Sequence, residues 1–191
     1  MIWMRSRLVI LPFLFLFSLN AKGQTAENIK QLQQKLLSAD SIVLISHVLT
    51  AGFAPKIVRD IDARDTKKRT VQNEIQHPQY LKNGKINSAI VKQRKVISKA
   101  EIAELSQIFR VEVVKETNLY KCDMPHHSII IYKKGVQSYI DICFACKRIH
   151  TSNDIALAEA DLTDNKWEKL KSFFKKFGLT YELLASSYQY F

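Results

Sequence analysis

The chain of 191 residues is 47% hydrophobic and 25% charged, with 29 Lys and Arg against 18 Asp and Glu and a formal net charge of +11. That balance excludes a wholly disordered chain, a collagen-like repeat and a multi-pass membrane protein. The length suits one domain, and the positive excess favours anionic surfaces over neutral ones.

Arg5 and Arg7 precede an apolar run at residues 8–19 (LVILPFLFLFSL), and Ala21 and Gly23 follow it. Basic, apolar, small is the order of a secretory signal peptide, so residues 1–23 are expected to be one. The run is shorter than the roughly 20 residues that span a bilayer, and it contains Pro12. No cysteine precedes Cys122, so lipid attachment at a cleavage site is not expected. The expectation is an exported protein, periplasmic or secreted and not a lipoprotein, with one domain over 24–191 and no transmembrane segment after signal cleavage. Losing Arg5, Arg7 and Lys22 lowers the net charge from +11 to about +8. The remaining basic clusters, Lys67-Lys68-Arg69, KQRK at 92–95, Lys133-Lys134 and Lys175-Lys176, are scattered. Weak contact with anionic envelope surfaces is expected, and no specific nucleic-acid binding, which pairs a dense basic stripe with a recognisable module.

The first element expected is a helix at 26–37, where Ile29, Leu32 and Leu36 follow helical spacing. Ile42-Val43-Leu44-Ile45 reads as a buried strand. Between Ala51 and Gln79 the signal is weak, with Ile57-Val58 as a strand start. Asn83-Gly84 marks a turn, and 89–97 reads as a further strand. Ser98 and Glu101 form a capping box ahead of Ile102, Leu105, Ile108 and Phe109. SIIIY at 128–132 and VQSYIDIC at 136–143 flank Lys133-Lys134-Gly135, which spells a β-hairpin. A last helix, capped by Thr163 or Asp164, carries Trp167, Leu170, Phe173, Phe174 and Phe177 as core, with Gly178 closing it. The fold class expected is α+β: about three helices packed on an antiparallel or mixed sheet of four to five strands, with a hairpin near 128–143.

Sparse glycine removes several chemistries. Gly52, Gly84, Gly135 and Gly178 stand far apart, so neither a phosphate-cradling loop nor a dinucleotide fingerprint is present. No G-x-S-x-G elbow occurs. Asp60, Asp62 and Asp65 fail as a calcium loop, since Arg64 replaces a ligand and no glycine makes the turn. His47 reads as a strand-end histidine with a local hydrogen bond.

All three cysteines fall between Cys122 and Cys146. With the hairpin turn near Lys134, paired positions sum to about 268 or 269. Cys122 then faces Cys146, His126 faces Cys143 or its neighbour, and His127 points to the opposite face. Three outcomes follow. Cys122, Cys143 and Cys146 with His127, or with His126 or His150 in its place, would make a Cys3His zinc site. A disulfide, suited to an oxidising compartment, would be Cys122–Cys146 or the tighter Cys143–Cys146. Plain burial of thiols is the third. Cys143-Phe144-Ala145-Cys146-Lys147 also resembles the thioredoxin active-site pentapeptide, but only 45 residues follow Cys146 and none is proline.

The run CDMPHHSIIIYKKGVQSYIDICFAC resembles a pattern of small exported bacterial proteins of uncharacterised function: a cysteine, P-x-H, a β-hairpin, then I-C-F-x-C. Cys122, Pro125, His127, Ile142, Cys143, Phe144 and Cys146 are the matching positions. The resemblance implies that the cluster is a unit, puts His127 ahead of His126 as the histidine of that unit, and implies no activity. The combined expectation is a non-enzymatic binding or stabilising module whose Cys/His cluster holds one zinc ion or a disulfide. The alternative is a thiol–disulfide redox enzyme, with Cys143 as nucleophile and Cys146 as resolving thiol.

Overall fold

The computed structural model describes residues 26–48, 80–82, 84–112 and 124–183. The expected signal segment, the acid cluster Asp60, Asp62 and Asp65, the strand start at Ile57-Val58, and Cys122 lie outside the described residues.

Helix α1 covers 26–37, and its Ile29, Leu32 and Leu36 are buried. A single apolar stripe is what a helix docked by one face needs. After β1 (Ser41–His47) come the short strands β2 (Leu81–Lys82) and β3 (Lys85–Ile86), paired with each other, then β4 (Val91–Ile97) and α2 (Lys99–Ile108). The remainder is β5 (His127–Lys133), β6 (Val136–Cys143), β7 (Arg148–Thr151), a 3-10 turn at Glu159–Asp161 and α3 (Asp164–Lys176). This is the α+β class: among the described residues, three helices and a five-stranded sheet in the order β4-β1-β5-β6-β7, antiparallel at every pair.

Local chemistry explains the boundaries. Ser98 accepts from the Glu101 N–H at 3.3 Å, and Glu101 Oε2 accepts from the Ser98 N–H at 2.5 Å, so the capping box starts α2 as its spelling requires. Thr163 caps α3, and Gly178 follows it at φ +73°. The β5–β6 turn has positive φ at both Lys134 and Gly135, the geometry whose twist matches the flanking strands. Asp40 Oδ2 accepts from the Lys134 N–H at 2.6 Å and holds the lysine there. The register His127↔Ile142 sums to 269, one of the two values expected. Strand β7 and the 3-10 turn had no sequence signal, being too short for a periodic pattern to show.

Both faces of the central strands are covered. Ile42, Leu44, Ile129, Ile131, Ile140 and Ile142 form the core with the helices, among them Leu105, Phe109, Leu170 and Phe174. Val43, Ile45 and Ile130 face the other way and pack under Tyr80, with Leu81, Ile86 and Ile90 half-buried around them. Burial on two sides is why β1 reads as an unbroken apolar run rather than an alternation. No helix of the described residues is long and apolar enough to cross a membrane.

Candidate functional site at the open end of the hairpin

The chemistry-bearing side chains gather where β1 ends, β5 begins and β6 ends. Across the sheet, Ile45 pairs with Ser128, Ser128 with Asp141, and Asp141 with His150. The adjacent position of β1 is His47, whose N–H donates to the His126 carbonyl at 2.9 Å. Because a strand alternates its faces, Ser128, Asp141 and His47 lie on the side covered by Tyr80. His127 lies on the side covered by the helices.

A buried polar chain runs along the first of these faces. The Tyr80 hydroxyl and the Ser128 hydroxyl, the latter at 2.7 Å, both donate to Asp141 Oδ1. His47 Nε2 lies 3.1 Å from Ser128 Oγ. All four residues are at most 2% exposed. Ser128 has one proton and gives it to Asp141, so a neutral His47 that bonds Ser128 Oγ does so with its proton on Nε2. Its Nδ1 then carries no proton beside the Val48 carbonyl, 3.3 Å away. A second proton would complete that bond, but burial resists the charge and His126 adds to the resistance. The His47 pKa falls to about 4. Burial, reinforced by the neighbouring Asp141, raises the Tyr80 pKa well above its ordinary value and keeps the phenol protonated.

Serine, histidine and aspartate invite comparison with a hydrolytic triad, and the connectivity answers it. Here serine stands between aspartate and histidine, whereas nucleophile activation needs histidine in the middle. Ser128 is also fully buried. The chain ties strands and the Tyr80 segment together, and it went unseen in the sequence apart from His47. Only the fold brings Tyr80 within reach of Asp141, 61 positions away.

On the helix-covered face, His127 is fully buried between Phe144 and Phe174, whose rings meet it edge-on at 5.0 and 5.3 Å. Among the described residues neither ring nitrogen has a hydrogen-bond partner at good geometry. Desolvation, then the neighbouring His47 and His126, push its pKa down to about 3; the Leu179 backbone pulls weakly the other way.

The cysteines occupy a third place. Cys143 ends β6 on the face opposite that of Ile142 and His127, and it packs with Cys146, Met124 and Ala145 in a small cluster of its own. Cys143 keeps its thiol and Cys146 is disulfide-bonded, so the tighter Cys143–Cys146 bridge is not the one formed. The C-x-x-C segment spans the turn from β6 to β7 rather than opening a helix; Lys147, at φ +53°, follows it and pairs with Asp164, the first residue of α3, at 2.5 Å. Of the expected ligands, the structure brings Cys143 and Cys146 together and separates both from His127. His126 packs edge-on against Tyr181 at 5.8 Å, and His150 is exposed on β7. Among the described residues no three His, Cys, Asp or Glu side chains are grouped to hold a metal.

A shallow cleft of about 620 Å³ lies between α2 and α3, lined by residues such as Glu104, Arg110, Lys169 and Lys176 and by none of the cysteines or histidines. Lys176 spans it to Glu104 at 2.7 Å, so its charges are largely paired. No family model, curated protein or solved structure matches this chain.

Proposed function

We propose that this chain is an exported, non-catalytic α+β module, and that a Cys122–Cys146 disulfide staples the open end of its hairpin. The carrying observation is the unlike state of the two C-x-x-C sulfurs: Cys146 sits in a disulfide while Cys143, 3% exposed, is a thiol in an apolar cluster. Export is the setting in which such a bridge persists, and Cys122 is the remaining cysteine of the sequence. A redox enzyme needs an accessible low-pKa thiol, and a buried Cys143 suits that role poorly. A zinc site built on His127 would need that histidine on the face of Cys143, whereas it lies on the other; His150, which shares the Cys143 face, is exposed on β7.

The test is the intact mass of the exported protein, native and denatured without reductant, followed by non-reducing peptide mapping. A denatured mass two protons light and a linked peptide pair carrying Cys122 and Cys146 are expected. A native mass higher by one zinc ion with three thiols on unfolding overturns the staple. Catalysed reduction of insulin, lost on Cys143→Ser, overturns the non-catalytic reading.

A further inference from the structure

Among the described residues strand β4 (Val91–Ile97) lies at the edge of the sheet with β1 as its neighbour, so one row of its backbone N–H and C=O groups points away from the sheet. Lys92, Arg94, Lys95 and Val96 are exposed on it, Val96 at 52%. None of the three cations forms a salt bridge among the described residues; Lys95 lies over the Phe177 ring at 5.5 Å. From Tyr80 to Ala100 the sequence holds no acidic residue, so β4 and the small hairpin before it form a border of one charge. The single irregularity of the β1–β4 ladder falls between Ser46 and His47, opposite the start of β4. Residues 93–97 therefore present a regular edge.

We propose that this edge binds an acidic, extended polypeptide segment of a partner, which adds beside β4 as a sixth strand. The outer backbone groups supply hydrogen bonds. Arg94 and Lys95 project from opposite faces and take carboxylates from either side of the added strand, while Val96 meets an apolar side chain on the Arg94 face. Lysines on an edge strand are a common guard against self-pairing. Here that guard repels a second copy of β4 and admits a strand of opposite charge. A flat anionic surface would use the cations but not the edge hydrogen bonds, which favours a peptide over a membrane. The proposal does not depend on the state of the cysteines.

The experiment is fluorescence anisotropy of an end-capped octaglutamate peptide titrated with the full exported protein. The same peptide N-methylated at every residue keeps its charges and loses its backbone donors. Binding is expected to weaken at least tenfold for the methylated peptide and at least tenfold for the Arg94→Glu/Lys95→Glu variant. Lys30→Glu/Lys175→Glu, an equal change of charge on exposed helix positions, is expected to stay within twofold of the wild type. Circular dichroism checks that both variants fold; if the charge reversal does not, Arg94→Gln/Lys95→Gln replaces it. No binding, equal binding of the two peptides, or equal loss in both variants overturns the proposal. Capture of the protein by phosphatidylglycerol vesicles without peptide binding overturns it in favour of a membrane surface.

Discussion

Tyr80 illustrates how one side chain can hold distant segments together. Its hydroxyl and that of Ser128 both donate to the Asp141 carboxylate, and its ring lies 4.8 Å from that of His47. Tyr80→Phe keeps the packing and removes one donor to a buried acid, so a loss of about 2 kcal/mol is expected in urea unfolding. The two buried histidines make stability depend on pH. In the fold His47 and His127 are pushed down to about 4 and about 3, whereas an unfolded histidine titrates near 6.5. Their neutral forms stabilise the protein fully above pH 6.5, and that contribution is lost as pH falls through 6.5 toward 4. Between those values the unfolded chain binds the extra protons, and the slope approaches ~1.4 kcal/mol per pH unit for each histidine. Urea midpoints measured from pH 7.5 to 4 should fall along that slope, and His127→Leu should make it about half as steep. An unchanged slope in the variant would remove His127 from the account.

At the scale of elements, the caps and turns carry their own local determinants. Ser98→Ala removes the side-chain acceptor of the α2 capping box and should cost about 1 kcal/mol, read as a shift in thermal or urea midpoint. Gly178→Ala forces a Cβ onto a residue at φ +73° and should cost a similar ~1 kcal/mol. These elements were legible because their signals lie within a few residues: Ser98 with Glu101, Lys134 with Gly135, and Ile29 with Leu32 and Leu36. Strand β7 was not legible, since Arg148–Thr151 has too few residues for alternation and pairs only because β6 offers its edge. The candidate site was half legible. The convergence of the hairpin's open end followed from the register, but Tyr80 and Asp141 carried no motif, because their meeting depends on how the small β2–β3 hairpin folds over the sheet.

For the whole molecule, the proposed staple closes residues 122–146 into a loop. Cross-linking a loop of that size restricts the unfolded chain and stabilises by about 3 kcal/mol. Cys146→Ser, or reduction of the wild type, should lower the thermal midpoint by an amount matching that figure. Cys143→Ser should leave the linkage intact and cost only the packing of one buried sulfur. If Cys143→Ser destabilises as much as Cys146→Ser, the two sulfurs share one role and the staple is misassigned.

The sequence alone determined the fold class, the hairpin with its register to within one residue, and the two capped helices, because each rests on contacts between near neighbours or on the period of two in a strand; the exact register, which separates His127 from Cys143, came only with the structure. Only the tertiary structure decided the strand order, the edge position of the basic β4, and the buried chain from Tyr80 through Asp141 and Ser128 to His47. Those depend on which segments cover which face of the sheet, and the hydrophobic effect that drives such covering has no direction to leave in local sequence.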